Sequence, residues 1–383
     1  MLYALRQHDY PEHRFDNYPK HPNPVDKQMR LDEFDYDLPE HFIAQEPIEP
    51  RDASRLLVLN REDETITHQH FSDILDYFNP GDVLVMNTTR VIPARLPAIR
   101  ADTGGKMEVL LLRQLEQKRW HVLIGGKRGE VGMKIAFPNS DVTAEVVEEL
   151  ENSERIIEFN RAVNHELEDI GETPLPPYIH KRLDDSERYQ TVYSRQEGSA
   201  AAPTAGLHFT ADLLIALRDK GVKLAYCTLH IGLDTFQPVK EENIEDHHMH
   251  SEWATLSSEN AKIINDAKLG GGRIIAVGTT ATRTLETAGI LSAGGDPSDP
   301  AASENICPWR PVIAFEQDTN LFIYPGYKWR VVDAMITNFH LPKSTLLMMI
   351  SAFMGKDFAF KAYETAKQEN YRFFSFGDAM LIT

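Results

Sequence analysis

Six short strand-like segments follow one another between residues 95 and 159, and no helical periodicity interrupts them. Turn signals such as Thr103-Gly-Gly and Pro138-Asn-Ser separate neighbouring segments. Closely spaced strands without helices favour a small closed barrel. We therefore predict an inserted six-stranded β-barrel domain at residues 91–169, with strands at Arg95–Arg100, Met107–Arg113, Trp120–Ile124, Val131–Phe137, Val142–Glu149 and Arg155–Phe159.

The remainder of the chain alternates between strand and helix patterns. Strands are expected at Arg55–Asn60, Gly81–Met86, Val222–Leu229, Arg273–Val277, Phe322–Tyr324 and Val331–Ile336. Helices are expected at Phe71–Phe78, residues 211–220, Ser258–Ala267, Thr279–Leu285, Ser344–Phe353 and Phe358–Gln368. Alternation of this kind predicts an α/β fold. We expect a discontinuous α/β domain at residues 33–90 and 170–383, interrupted by the barrel, after a disordered polar extension at residues 1–32.

The charge of the chain is uneven. A formal net charge of −18 argues, taken alone, against a nucleic-acid partner. Residues 81–128 nevertheless carry nine Lys and Arg against four Asp and Glu. Solvated surface charge is the ordinary account of such a run, and a local phosphate-binding surface is the alternative. The absence of a long apolar run, of a signal-peptide pattern and of more than two cysteines predicts a cytoplasmic protein.

A turn of small residues at Gly198–Thr210 precedes a predicted helix. It contains one hydroxyl, Thr204, and one imidazole, His208. A helix N-terminus that follows a loop of small residues is typical of a binding site for an anion or a nucleoside. A tight structural turn with a hydrogen-bonded histidine is the alternative.

Polar clusters follow four of the predicted strands. They begin at Asn87, His230, Gly278 and Thr337, directly after apolar segments. In an open α/β sheet, ligands bind at the carboxyl ends of strands, so we predict a ligand site where these clusters and the small-residue turn converge. Asparagines and glycines in turns, and threonines that cap helices, are the structural alternative.

Three histidines in these clusters are candidates for proton transfer, because imidazole titrates near neutral pH. The candidate catalytic residues are His208, His340, His230 and Thr204. His248, His250 and Glu252 would share one face of an extended segment, but no second ligand group stands nearby in the sequence, so no bound metal is predicted.

Several short motifs are spread over the chain. They are Ile43-Ala-Gln-Glu-Pro47, Arg51-Asp-x-Ser-Arg55, Thr103-Gly-Gly-Lys-x-Glu-Val-Leu-Leu111, Pro174-Leu-Pro-Pro-Tyr-Ile179, Tyr189-Gln-Thr-Val-Tyr193, Gly198–Thr210, Met249-His-Ser-Glu252, Thr337-Asn-Phe-His-Leu-Pro-Lys-Ser344 and Tyr371-Arg-Phe-Phe-Ser-x-Gly-Asp378. They resemble the motifs of the S-adenosylmethionine:tRNA ribosyltransferase-isomerase family of queuosine biosynthesis, and they occur in that family's order from about Phe34 to the C-terminus. Thr88 and Asp234 depart from it, and the loop at residues 291–305 lies outside the pattern.

The resemblance implies a specific reaction. The ribosyl part of S-adenosylmethionine, a consumed cosubstrate, joins the 7-aminomethyl-7-deazaguanine (preQ1) base of a tRNA anticodon and isomerises to epoxyqueuosine. Adenine and methionine leave, and no further cofactor or metal is implied. We expect a monomer whose partners are tRNA and S-adenosylmethionine. The candidate substrate-binding residues are Asn87, Arg90, Tyr178, Gln190, Gly206, Phe209, Glu252, Thr279, Thr280, Arg283, Asn338, Lys343, Ser344, Lys127 and Arg128.

Two other functions remain open at this point. A conventional S-adenosylmethionine-dependent RNA methyltransferase would share the cosubstrate but release S-adenosylhomocysteine instead of adenine. A non-catalytic barrel protein would bind tRNA and consume nothing.

Overall fold

The structure, a computed structural model, describes residues 29–125, 129–150, 153–232, 239, 241–300, 307 and 309–383. The strands are β1 Arg55–Asn60, β2 Thr65–His70, β3 Val83–Asn87, β4 Thr89–Val91, β5 Arg95–Arg100, β6 Lys106–Gln114, β7 Arg119–Gly125, β8 Lys134–Ala136, β9 Thr143–Glu149, β10 Glu154–Phe159, β11 Gln196–Ser199, β12 Lys223–Leu229, β13 Glu252–Leu256, β14 Ile274–Val277, β15 Phe315–Thr319, β16 Ala334–Asn338 and β17 Ala379–Ile382. The α-helices are α1 Leu167–Ile170, α2 Ala211–Asp219, α3 Ser258–Leu269, α4 Gly278–Ser292, α5 Thr345–Met354 and α6 Lys356–Gln368.

A nine-stranded mixed sheet forms the larger part of the molecule, in the order β15-β13-β12-β3-β14-β16-β17-β1-β2. Its middle strands β12, β3, β14 and β16 pair in parallel with their neighbours in this order. Their carboxyl ends therefore lie side by side at one edge of the sheet.

Alternate residues of the strands bury two separate cores. Leu57, Val83 and Val85 belong to a core that also contains buried side chains of α3, α4, α5 and α6. Leu84 and Met86 face the opposite side, where they pack with α2 and with the 3-10 helix Phe71–Tyr77. Because both faces are covered, β3 and β14 are buried along their whole length, and apart from Asn87 at the end of β3 all their residues are apolar.

The six strands β5 to β10 close into an antiparallel barrel around an apolar core that extends from Ile92 to Ile170. The chain enters and leaves the barrel at neighbouring points, since a Cβ at Gly171 would lie 2.2 Å from the carbonyl oxygen of Pro93. The described part of residues 107–159 contains no helix. The predicted fold class, an α/β domain with an inserted six-stranded barrel, is confirmed.

The sequence analysis misjudged several elements of the sheet. Phe322–Tyr324 is irregular, and the nearby strand is the polar edge strand β15. Helix α4 continues to Ser292 instead of ending at Leu285. Strand β17 pairs between β16 and β1 and was not anticipated.

The N-terminal boundary also differs from the expectation. Residues 29–32, expected to belong to a disordered extension, pack against the body, where the Leu31 N–H donates to the carbonyl of Glu242 at 2.9 Å. Residues 1–28 lie outside the described part of the chain. Among the described helices, none combines the length and the apolar character needed to cross a bilayer.

Candidate active site

A small cavity of about 100 Å³ lies where the parallel strands end. Its wall includes the first residues of α4, the end of β16 and the small-residue turn that precedes α2. Several of the predicted site residues line this cavity. They are Thr204, Tyr178, Thr279, Thr280, Asn338, His340 and Ser344.

A larger cleft of about 790 Å³ separates the barrel from the sheet. Arg113 and Trp120 line it from the barrel, whereas His230 and Trp253 line it from the sheet. Arg113 also forms an ion pair with Asp318 of β15 at 3.2 Å, which connects the two bodies. The cleft and the small cavity share Glu252, Arg283 and Leu346 in their walls and are therefore adjacent chambers of one recess.

Helix α4 directs its N-terminus at the small cavity. It begins at Gly278, whose φ of +84° turns the chain from β14 into the helix, and no side chain caps it. The backbone N–H groups of the first turn of a helix have no intrahelical partner and carry partial positive charge. This end of the cavity suits an anionic or acceptor group of a ligand.

Glu252 and Arg283 form a buried ion pair between the two chambers. Glu252 accepts a hydrogen bond from the Gly232 N–H at 3.0 Å, and Arg283 donates to the carbonyls of Leu321 and Thr319. A buried ion pair survives only when further hydrogen bonds satisfy it, as here. The pair holds opposite charges at the passage from the cleft to the small cavity.

His340 lines the small cavity and uses one ring nitrogen in a hydrogen bond. Its Nε2 is 2.7 Å from the Thr337 hydroxyl, and its backbone N–H donates to the Tyr363 hydroxyl at 2.9 Å. Nδ1 has no hydrogen-bond partner within the described part of the chain. Burial lowers the pKa of His340 to about 3, so the ring is neutral at neutral pH. When Nε2 carries the proton and donates to Thr337, the lone pair is on Nδ1.

His230 lies in the larger cleft. Its Nδ1 is 2.8 Å from the Thr89 hydroxyl, and its ring stacks on Trp253 with centroids 5.2 Å apart. A Cβ on Gly198 would lie 3.2 Å from Nε2, so only glycine leaves this close approach unstrained. Burial, and secondarily the positive charge of Arg113, lowers the pKa of His230 to about 4.

His208 differs from both of these histidines because neither cavity reaches it. Its Nδ1 is 2.7 Å from the Ser54 hydroxyl, its Nε2 is 3.1 Å from Asn338 Nδ2, and its ring stacks on Phe71. Burial, followed by the charges of Arg372 and Arg51, lowers the pKa of His208 to about 3. The candidate catalytic residue His208 therefore does not line the cavity that Thr204 lines, and both of its ring nitrogens are engaged inside the protein.

Comparison with known proteins identifies the family. The model of a family described as queuosine biosynthesis protein matches residues 31–382. The chain belongs to this family. The chain is also similar to S-adenosylmethionine tRNA ribosyltransferase from Thermotoga maritima, whose crystal structure is known. The two sequences are 37% identical, the match covers 92% of this chain and 100% of that one, and the TM-score is 0.51. The family and the enzyme class predicted from the motifs are confirmed.

Two of the predicted substrate-binding residues use their side chains to form hydrogen bonds with the backbone of distant segments. The Asn87 side chain bonds both the N–H and the carbonyl of Leu229, and it also donates to the Thr280 hydroxyl at 3.2 Å. Gln190 bonds both the N–H and the carbonyl of Val91. Both side chains are buried and neither lines a cavity, so their polar atoms are not available to a substrate.

Two further candidates belong to the packing around the turn. Phe209 is fully buried and contacts Phe71 edge-on, so it cannot stack on a tRNA base. Gly206 leaves room for the Tyr193 hydroxyl, which would lie 2.0 Å from a Cβ at that position. Tyr178, by contrast, lines the small cavity with its hydroxyl 2.8 Å from that of Ser375.

The predicted cationic contacts lie in different places. Arg90 lines the larger cleft, where it pairs with Glu187. Lys343 pairs with Asp35 at 2.7 Å and lines neither cavity. Ser344 accepts the Leu347 N–H as the N-cap of α5 while it lines the small cavity. Lys127 and Arg128 lie outside the described residues.

Sequence reasoning did not single out Ser54, Trp253 and Ser375 as members of the site. Ser54 and Ser375 lie within motifs that the family resemblance includes, so these motifs could have pointed to both residues. Trp253 follows Glu252 directly and has no comparable signal. In the described part of the chain, no three His, Cys, Asp or Glu side chains gather as metal ligands would. The prediction that the protein holds no metal stays a prediction.

Proposed function

We propose that this enzyme transfers and isomerises the ribosyl group of S-adenosylmethionine onto preQ1 in a tRNA anticodon. The products would be epoxyqueuosine-tRNA, adenine and methionine. S-adenosylmethionine would be consumed as a cosubstrate, with no other cofactor and no metal, and a single chain would suffice. Because tRNA and S-adenosylmethionine are both cytoplasmic molecules, the proposed reaction belongs in the cytoplasm.

The observation that carries the proposal is the two-chamber recess at the carboxyl ends of four parallel strands. Pockets for ligands of this size commonly enclose about 300–1,000 Å³. The larger cleft, at about 790 Å³, falls in that range, whereas the small cavity, at about 100 Å³, holds only part of a cosubstrate. S-adenosylmethionine would extend from the small cavity into the cleft, and the tRNA base would enter the cleft beside the barrel.

The charge of the cleft suits cationic reactants. Within the described lining, six carboxylates face three guanidinium groups, namely Glu154, Glu168, Glu197, Glu241, Glu252 and Asp318 against Arg90, Arg113 and Arg283. The sulfonium of the cosubstrate and the protonated aminomethyl group of preQ1 are both positive. An excess of negative charge favours their approach, whereas the tRNA phosphates must remain outside the cleft.

The chemistry needs a base beside the sulfonium, because positive sulfur stabilises the carbanion formed when an adjacent proton leaves. His340 is the leading candidate, since its Nδ1 is unpartnered among the described residues and the ring lines the small cavity. Once protonated, the same imidazole becomes an acid that can return the proton to departing adenine. His230 is the second candidate, from the cleft side.

The test is to follow the two halves of labelled S-adenosylmethionine with tRNA that carries preQ1. We expect release of adenine together with incorporation of a ribosyl label into the tRNA. Incorporation of a methyl label with release of S-adenosylhomocysteine would identify a methyltransferase instead. Binding of tRNA without consumption of the cosubstrate would identify a non-catalytic binding protein.

A further inference from the structure

The amide of Asn338 can take only one orientation. Its Nδ2 is 3.2 Å from the carbonyl oxygen of Phe374 and 3.1 Å from His208 Nε2. The carbonyl accepts and cannot donate, so the NH₂ of Asn338 must face it. Reversal of the amide would place two oxygens against each other in a buried position. The backbone carbonyl therefore decides which end of the amide carries the NH₂, and His208 Nε2 is the second acceptor that holds the amide in that orientation.

The orientation of Asn338 in turn fixes the tautomer of His208. With NH₂ against it, Nε2 must be unprotonated and accept. Nδ1 then carries the proton and donates to the Ser54 hydroxyl at 2.7 Å, and that hydroxyl donates to the Arg51 carbonyl at 3.3 Å. Along this path each donor faces an acceptor, and the two protons of Asn338 Nδ2 face His208 Nε2, the Phe374 carbonyl and, at the longer distance of 3.5 Å, the Asp378 carbonyl.

The other end of the Asn338 amide reaches the small cavity. Thr204 Oγ1 donates to Asn338 Oδ1 at 3.0 Å, and Thr204 lines that cavity. A hydroxyl has one proton and two lone pairs. Because its proton is directed at Asn338, Thr204 presents only lone pairs to the cavity.

We infer that His208 is a positioning residue that acts through Asn338 to hold Thr204 as a pure hydrogen-bond acceptor for a hydroxyl or ammonium donor of the cosubstrate. This role rests on the proposed function for the identity of the cosubstrate. It explains why a histidine in the turn is buried, neutral and absent from the lining of both cavities. His208 contacts no substrate, and its effect on turnover passes through the hydroxyl of Thr204.

The tautomer is tested directly by long-range ¹H–¹⁵N correlation spectra of the full chain with labelled histidine. The His208 signal, assigned by its loss in His208→Gln, is expected to show a protonated Nδ1 and an unprotonated Nε2. A proton on Nε2 would overturn the inference. This outcome does not depend on which reaction the enzyme catalyses.

The coupling is tested by a double-mutant cycle of His208→Leu and Thr204→Val. Each single change is expected to reduce kcat/KM for adenine release roughly tenfold, the usual scale for one lost hydrogen bond. Because His208 acts through Thr204, the double variant should lose about as much as either single variant. Independent losses that multiply to roughly a hundredfold would overturn the inference.

Two controls separate positioning from packing. His208→Gln supplies an acceptor to Asn338 and should recover most of the turnover that His208→Leu loses, with an unchanged pH profile. Phe71→Leu disturbs the ring that stacks on His208 without touching the hydrogen bonds, so it should lower the melting temperature and leave kcat/KM near wild type. An equal loss of kcat/KM in Phe71→Leu would mean that only packing is at work.

The affinity for S-adenosylmethionine is also measured by calorimetry for the wild-type enzyme, the two single variants and the double variant. If wild-type enzyme binds S-adenosylmethionine but releases no adenine, the proposed function fails while the coupling between His208 and Thr204 is still scored from the affinities. Additive losses of affinity would overturn the inference even if adenine release confirms the proposed function.

Discussion

The segments Thr204–His208 and Thr337–His340 look alike in sequence but differ in the availability of their imidazoles. Each places a threonine hydroxyl a few residues before a histidine, beside the small cavity. His208 uses both ring nitrogens inside the protein, whereas His340 lines the small cavity, uses Nε2 and has no partner at Nδ1 among the described residues. Burial lowers both pKa values to about 3. In the proposed mechanism, His340 therefore differs from His208 in having an unpartnered ring nitrogen among the described residues and a side chain that is partly exposed.

The largest expected effect follows from replacing His340. His340→Ala should reduce single-turnover adenine release at saturating substrates by at least about a hundredfold, the low end of the range for a lost acid or base. The fold should persist, because the backbone N–H of His340 keeps its bond to Tyr363. A near wild-type rate would exclude His340 as the proton carrier and direct attention to His230.

His208→Ala should instead act mainly on stability. The change removes a buried ring from Phe71 and removes one hydrogen bond each from Ser54 and Asn338. We expect the free energy of unfolding in urea to fall by about 2–4 kcal/mol. A variant with wild-type stability but a turnover reduced more than about a hundredfold would make His208 a reacting group and would erase the contrast with His340.

The pH dependence of stability should reveal the neutral histidines. Their folded pKa values lie below the ordinary value of 6.5, so the unfolded chain binds more protons between pH 6.5 and about pH 3. Stability is complete above pH 6.5 and is lost as the pH falls through this window, by up to about 1.4 kcal/mol per pH unit for each such histidine. His208→Gln should reduce the slope by about that amount. Equal slopes for the two proteins would contradict a buried neutral His208.

The smallest effect is expected from Thr337→Val. This substitution removes the hydroxyl that is 2.7 Å from His340 Nε2 and keeps the shape of the side chain. The imidazole remains but is less well oriented, so we expect adenine release to fall about three- to tenfold. The analogous Thr204→Val is the matched comparison at the other segment. Loss beyond a hundredfold for Thr337→Val would mean that Thr337 itself contacts the reacting atoms.

The sequence predicted the barrel and the convergence of the strand ends well because both depend on local patterns. Turn signals and apolar alternation predicted the ends of the barrel strands to within a few residues. The exception is β8, which is shorter than expected. Helix α4 was predicted to end at Leu285, four residues before Gly289. In the structure that glycine permits close packing, since a Cβ would lie 2.6 Å from Val331.

The hydrogen-bond partners of the buried polar groups could not be predicted from local sequence patterns. Ser54 is 154 positions from His208 in the chain, and Asn87 meets Leu229 across 142 positions. Nothing in a short motif tells whether a conspicuous asparagine or histidine faces a ligand or a distant backbone group. The strand-end rule located the site, and long-range contacts decided which of its polar residues remain available.

The most direct test of this account is a crystal structure with S-adenosylmethionine, or a stable analogue, bound in the recess. We expect part of the ligand in the small cavity, with one of its atoms close to His340 Nδ1 and a donor group within hydrogen-bond distance of Thr204 Oγ1. His208 should keep Ser54 and Asn338 as its partners and contact no ligand atom. A ligand bound directly to His208, with Asn338 displaced, or a ligand outside both chambers would contradict the account.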